Sequence, residues 1–106
     1  MKRYRLARPA KADLDDIWLH IAEEASVNIA DRFVDAITEQ FVLFAGMPEM
    51  GRSRNEIEPG LRSFPVGDYL VYYRRRPRGG ILISRVIHGR RDQARAWLGR
   101  PKDYTS

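Results

Sequence analysis

The chain has 106 residues, of which 43% are hydrophobic and 31% charged, with 19 Lys and Arg against 14 Asp and Glu. That length builds one hydrophobic core, so a single domain is expected over 1–106, with its core at about 2–98 and a frayed tail at 99–106. Zero Cys excludes a disulfide framework, two His disfavour a metal site, and no apolar run approaches the ~20 residues a membrane span needs.

Lys2 to Ala7 reads as a short first strand, and Pro9 suits the first turn of a helix. Leu14, Ile17, Trp18, Ile21, Ala22 and Ala25 then recur at steps of three and four, the stripe of an amphipathic helix. Asp13, Asp15 and Asp16 lie in its first half and are expected to face away from the stripe. Ser26 to Asn28 breaks the pattern, with Asn28 as the expected N-cap of a second helix. That helix carries Ala30, Phe33, Val34, Ile37, Phe41 and Phe44 on one stripe and stops at Gly46 and Pro48. Val42 and Leu43 fall off the stripe, which fits either deep burial or a partner surface. Residues 46–60 read as a surface loop. Three strands follow: Leu61 to Val66, Tyr69 to Arg75 and Ile81 to His88. Asp92 to Leu98 fits one or two helical turns.

The expected class is therefore α+β with the order βααβββ and a possible short C-terminal helix. A helical hairpin should pack on one face of a small antiparallel sheet and leave the other face available. The basic N-terminus is not followed by an apolar segment of signal-peptide type, so a cytoplasmic protein is expected.

Charge is unevenly spread. Residues 1–50 carry a net of −3 and residues 51–106 a net of +8, nearly all of the positive charge there being Arg. Arg grips carboxylates and phosphates with a planar fork, so an acidic partner is expected. No HExxH, GxxxxGK[ST], GxGxxG or GxSxG motif occurs, which disfavours a metal, a nucleotide cofactor and a serine nucleophile; no cofactor is expected. What remains is Arg62, Arg85, His88, Arg90 and Arg91, with Tyr69, Tyr72 and Tyr73 nearby. Strict alternation places Ile81, Ile83, Arg85 and Ile87 on one strand face. An Arg among three Ile needs an acid, such as Asp68 or Glu56, or a partner's carboxylate or phosphate.

These residues resemble the ParE branch of the ParE/RelE toxins of bacterial type II toxin–antitoxin modules. The resemblance runs over about residues 4–98. It is carried by Tyr4-Arg-Leu-Ala, Asp13-Leu14, Ala30, Phe33, Met47-Pro48, Gly51-Arg52, Gly60-Leu61-Arg62-Ser63, Tyr69 to Tyr73 and Arg85-Val86-Ile87-His88-Gly89-Arg90-Arg91-Asp92. It implies a toxin held in a hetero-oligomer by a cognate ParD-like, ribbon-helix-helix antitoxin, which makes most of the DNA contacts. It also implies inhibition of DNA gyrase by protein binding, with no catalytic residue. The alternative within the superfamily is a metal-independent, ribosome-dependent mRNA endoribonuclease using Arg62, Arg85 and His88. Only three Lys and no Tyr just after the last strand count against that alternative. An inactive member acting only in the autoregulatory complex is a third possibility. Antitoxin binding is expected at Val42, Leu43, Arg62, Tyr72, Arg74 and Arg85. Target binding is expected at His88, Arg90, Arg91, Arg95 and Trp97.

Overall fold

The computed structural model describes residues 3–90. Two helices, α1 (Arg8–Glu24) and α2 (Val27–Gly46), follow a first strand β1 (Tyr4–Leu6). Four strands come after them: β2 (Arg52–Ser53), β3 (Arg62–Val66), β4 (Tyr69–Arg75) and β5 (Ile81–His88). The sheet order is β1-β5-β4-β3-β2, antiparallel except where β1 lies parallel to β5. The α+β class and the order βααβββ are as expected, with a two-residue β2 added where the sequence reads as loop. The expected helix at Asp92 to Leu98 lies outside the described residues.

Local chemistry explains the helix ends. Pro9 sits in the first turn of α1, where its missing N–H costs nothing. The N-cap of α2 is Ser26, whose Oγ accepts from the Ile29 N–H at 3.1 Å, so Asn28 is not the cap. A second tie closes the hairpin: the Trp18 indole N–H donates to Asp31 at 2.8 Å.

Each helix buries a narrow stripe. Ala10, Leu14 and Ile17 from α1, and Ile37, Phe41 and Ala45 from α2, meet Phe64, Val71, Tyr73, Ile81, Ile83 and Val86 of the sheet. Burying a Leu, Ile or Phe contributes roughly 1.5–3 kcal/mol, so this layer dominates stability. Phe44 stacks on Phe64 with centroids 3.8 Å apart, and Tyr4 meets the edge of Phe41 at 5.2 Å.

The opposite sheet face is partly covered, contrary to expectation. Residues 54–60 fold back over it, and Ile57 packs on a second small cluster of Leu61, Tyr72 and Ile87. Arg54 Nε donates to Ser63 Oγ at 2.8 Å, and Arg74 pairs with Glu58. The loop therefore brings its own apolar residue and its own acid.

Strand alternation also breaks. Tyr72 stands opposite Arg85 while Tyr73 stands opposite Ile83, so Ser84 is an extra residue in β5. This β-bulge shifts the phase: Ile81, Ile83 and Val86 join the main core, whereas Ile87 joins the second cluster. The expected face of Ile81, Ile83, Arg85 and Ile87 does not exist.

Tyr72 and Tyr73 lie on opposite sheet faces and are both fully buried. Burial pushes both phenols above the ordinary value of 10.0. At Tyr72 the Arg54 charge opposes this and Glu56 adds to it; at Tyr73 the Gly51 hydrogen bond and Arg62 oppose it. Unfolded phenols release protons near pH 10, and the folded ones only at higher pH. The protons retained on folding stabilise the fold fully below pH 10, and this contribution is lost as pH rises through the raised values. Urea midpoints should therefore fall between pH 9 and 11, and Tyr72→Phe should make that fall shallower.

Candidate functional site

Arg85 is the centre of the best-built polar site. Its Nε and Nη2 donate to the two carboxylate oxygens of Asp13, at 2.6 and 2.9 Å. The Val86 N–H also donates to Asp13, at 2.8 Å. The bulge at Ser84 turns this stretch of β5 toward α1, and Asp13 stands one turn from the buried Ile17. The acid is thus Asp13, not Asp68 or Glu56, and Asp13 faces the sheet rather than solvent. Both side chains are nearly buried, so the pair ties α1 to β5 across 72 residues of sequence.

A cleft of about 410 Å³ opens beside this pair, between α1 and the end of β5. Asp13, Asp16, His20, Tyr69, His88 and Arg90 line it. His20 and His88, remote in sequence, therefore face the same cleft. His88 meets the Tyr69 ring edge-on at 5.1 Å, and its Nδ1 accepts from the Arg90 N–H at 3.1 Å. Among the described residues no group of three His, Asp or Glu is placed to hold a metal ion. Asp16 and His20 carried no signal in the sequence beyond helical spacing from Asp13.

The arginines expected at the antitoxin surface are tied internally. Arg62 Nη1 donates to the carbonyls of Gly51, at 2.7 Å, and Glu49, at 3.2 Å, which pins the turn after α2. Beside it, the Tyr73 hydroxyl donates to the Pro48 carbonyl at 2.7 Å and accepts from the Gly51 N–H at 2.9 Å. A Cβ on Gly51 would fall on the Tyr73 ring, so only glycine fits there. Arg74 bonds Glu58 and the Pro59 carbonyl, and Tyr72 is buried. Val42 and Leu43 are different: both lie on the solvent side of α2, 52% and 45% exposed. Met47 and Met50 extend that apolar surface past the helix end.

Arg62, Arg85 and His88 do not converge. Arg62 stands opposite Tyr73 and His88 opposite Tyr69, four residues apart along β4, or about 13 Å at the ~3.3 Å rise of a strand. Arg90 lies at the cleft, whereas Arg91, Arg95 and Trp97 are outside the described residues.

Comparison with known proteins adds to this geometry. Residues 4–93 match the family model described as the ParE toxin of the type II toxin–antitoxin system parDE. The chain is 37% identical to Toxin ParE1 of Caulobacter vibrioides over 99 residues, covering 93% of this chain and all of that one. Toxin ParE3 of the same organism is 33% identical, over 94% of this chain and 98% of its own length. Toxin ParE1 of Mycobacterium tuberculosis is 32% identical, over 85% and 92%. Among solved structures, the chromosomal ParDE toxin–antitoxin system from P. aeruginosa superposes with a TM-score of 0.70 at 26% identity, covering 83% of this chain and 96% of that one.

Proposed function

Because the chain belongs to the ParE toxin family of type II toxin–antitoxin systems, we propose that it is a cytoplasmic toxin that acts by binding. A cognate ParD-like, ribbon-helix-helix antitoxin silences it, and DNA gyrase is its target. Binding is favoured over ribonuclease chemistry because Arg62, Arg85 and His88 do not converge, and the guanidinium of Arg85 is committed to Asp13. A phosphate-cleaving site needs its charges aimed at one reacting group.

The exposed apolar strip of Val42, Leu43, Met47 and Met50 supports an antitoxin footprint on the end of α2. Exposed patches of this kind mark interfaces, and an amphipathic helix would lay its apolar side along the strip. Val42→Asp with Leu43→Asp should weaken antitoxin binding about a hundredfold, as loss of two apolar contacts and burial of charge imply. Circular dichroism should be unchanged, because both side chains point away from the core.

The test of the mode of action is controlled expression with His88→Gln alongside the parent chain. Expected are filamentation and loss of gyrase supercoiling in both, since Gln keeps a hydrogen-bonding side chain and removes only the capacity for general acid catalysis. Loss of toxicity in His88→Gln, with fold and antitoxin binding intact and mRNA cut in the parent, would overturn the binding mode.

A further inference from the structure

Two segments of the chain carry no acid at all: residues 1–12, with Arg3, Arg5 and Arg8, and residues 69–90, with Arg74, Arg75, Arg76, Arg78, Arg85 and Arg90. The parallel pairing of β1 with β5 brings the two together at one end of the sheet. The Ile81 N–H donates to the Arg3 carbonyl at 2.9 Å, and a Cβ on Gly79 would stand 3.0 Å from the Arg3 guanidinium. Arg3 thus reaches the β4–β5 turn, where Arg76 and Arg78 sit. Arg5 stands beside Leu82, which in turn stands beside Arg74, so these three share the sheet face away from the helices. Arg74 is neutralised by Glu58. Arg3, Arg5, Arg76 and Arg78 make no ion pair among the described residues.

We infer that this arginine end of the sheet, Arg3, Arg5, Arg76 and Arg78, is a sequence-independent binding surface for the phosphate backbone of duplex nucleic acid. Four guanidiniums with no acid among them select a polyanion. A protein partner is disfavoured because, among the described residues, the large exposed apolar side chains are all on the helices or the turn after α2, at Leu19, Val27, Ile29, Val42, Leu43, Met47 and Met50. Among the described residues the arginine end has no large apolar side chain fully exposed, Leu82 being half-buried between Arg5 and Arg74, so it lacks the anchors that protein interfaces use. A single strand is disfavoured because none of those exposed side chains is aromatic, so the described residues present no platform for base stacking. Phosphate contacts without base contacts position a protein on a duplex but do not choose a sequence. The toxin would then touch the duplex itself, on a surface separate from the apolar strip of α2.

Fluorescence anisotropy of a mixed-sequence 20-bp duplex with the full-length chain, from 50 to 200 mM salt, tests this. The variant R3A/R5A/R76A/R78A should bind with a log–log salt slope shallower by about 3–4, as four lost phosphate contacts require. Its affinity at 50 mM salt should fall at least tenfold. R32A/R52A, altering exposed arginines elsewhere, should bind like the parent. These four side chains reach solvent or only its margin, and circular dichroism verifies that the variant folds. An unchanged slope in the quadruple variant, or no duplex binding at 50 mM salt, would overturn the inference. So would tighter binding of single-stranded DNA, or polyglutamate competing as well as duplex, the latter assigning the surface to an acidic protein.

Discussion

Asp13→Ala should destabilise the fold by about 3–5 kcal/mol, because it leaves Arg85 charged and nearly buried without its partner. The carboxylate accepts from Arg85 twice and from the Val86 N–H once, so three donors lose their acceptor together. For a chain of this length the midpoint of thermal unfolding should fall by more than about 10 °C. Replacing both partners, Asp13→Leu with Arg85→Met, should recover part of that loss, since an apolar pair carries no desolvation penalty. The Val86 N–H would remain unsatisfied and hold the recovery short by about 1–3 kcal/mol. Urea denaturation of the single and double variants measures both quantities. A loss below about 1 kcal/mol for Asp13→Ala would show that solvent screens the pair and that α1 is held to β5 by apolar packing alone.

Phe41→Ala should cost about 3–5 kcal/mol, the usual range for emptying an aromatic site in a packed core. Phe41 is fully buried and supports the Tyr4 ring, so its loss removes the platform under β1. The damage should be local before it is global. In native-state hydrogen exchange, the amides of Ala7 and Ile81, which bond across β1 and β5, should lose protection ahead of those of β3 and β4. Phe44→Ala gives the contrast, because Phe44 stacks on Phe64 of β3 and should loosen that strand instead. Equal loss of protection everywhere in both variants would mean that the sheet opens only as one unit.

The elements were legible where a period ran long enough. Ile37, Phe41 and Ala45 repeat at four residues, and β4 alternates cleanly between Tyr69, Val71 and Tyr73 on one face and Leu70 and Tyr72 on the other. Two residues cannot carry a period, so β2 left no trace. The bulge at Ser84 was hidden for a different reason: Ile81 to His88 looks like an unbroken strand, and only the pairing partner shows the extra residue. Ser26 and Asn28 are both good N-caps, and only the path of the chain decides between them.

The candidate site was legible as residue types but not as a constellation. Arg85 visibly needed an acid, yet the choice of Asp13 depends on how α1 crosses β5. His20 and His88 share a cleft for the same reason. Arg62 looks like a reactive cation in the sequence, whereas in the fold its guanidinium is a bracket for the carbonyls of Glu49 and Gly51. The charge split between the two halves was visible as composition, but it hid the basic segment 1–12 inside an acidic half; that this segment meets residues 69–90 at one sheet end follows only from the β1–β5 pairing.

That pairing has a kinetic consequence. Strands β2 to β5 form a run of neighbours whose contacts are close in sequence, and the two helices form another. The bond between β1 and β5 instead closes a loop from Tyr4 to Ile81. Contacts of such separation are entropically expensive to form, so this one falls late, after the meander and the hairpin have condensed. Changes confined to Tyr4–Leu6 then act chiefly on the rate of unfolding and leave the rate of folding almost untouched. The arginine end is therefore complete only once β1 brings Arg3 and Arg5 to the turn that already holds Arg76 and Arg78, so its capture of a polyanion would slow escape from the native state more than it speeds arrival.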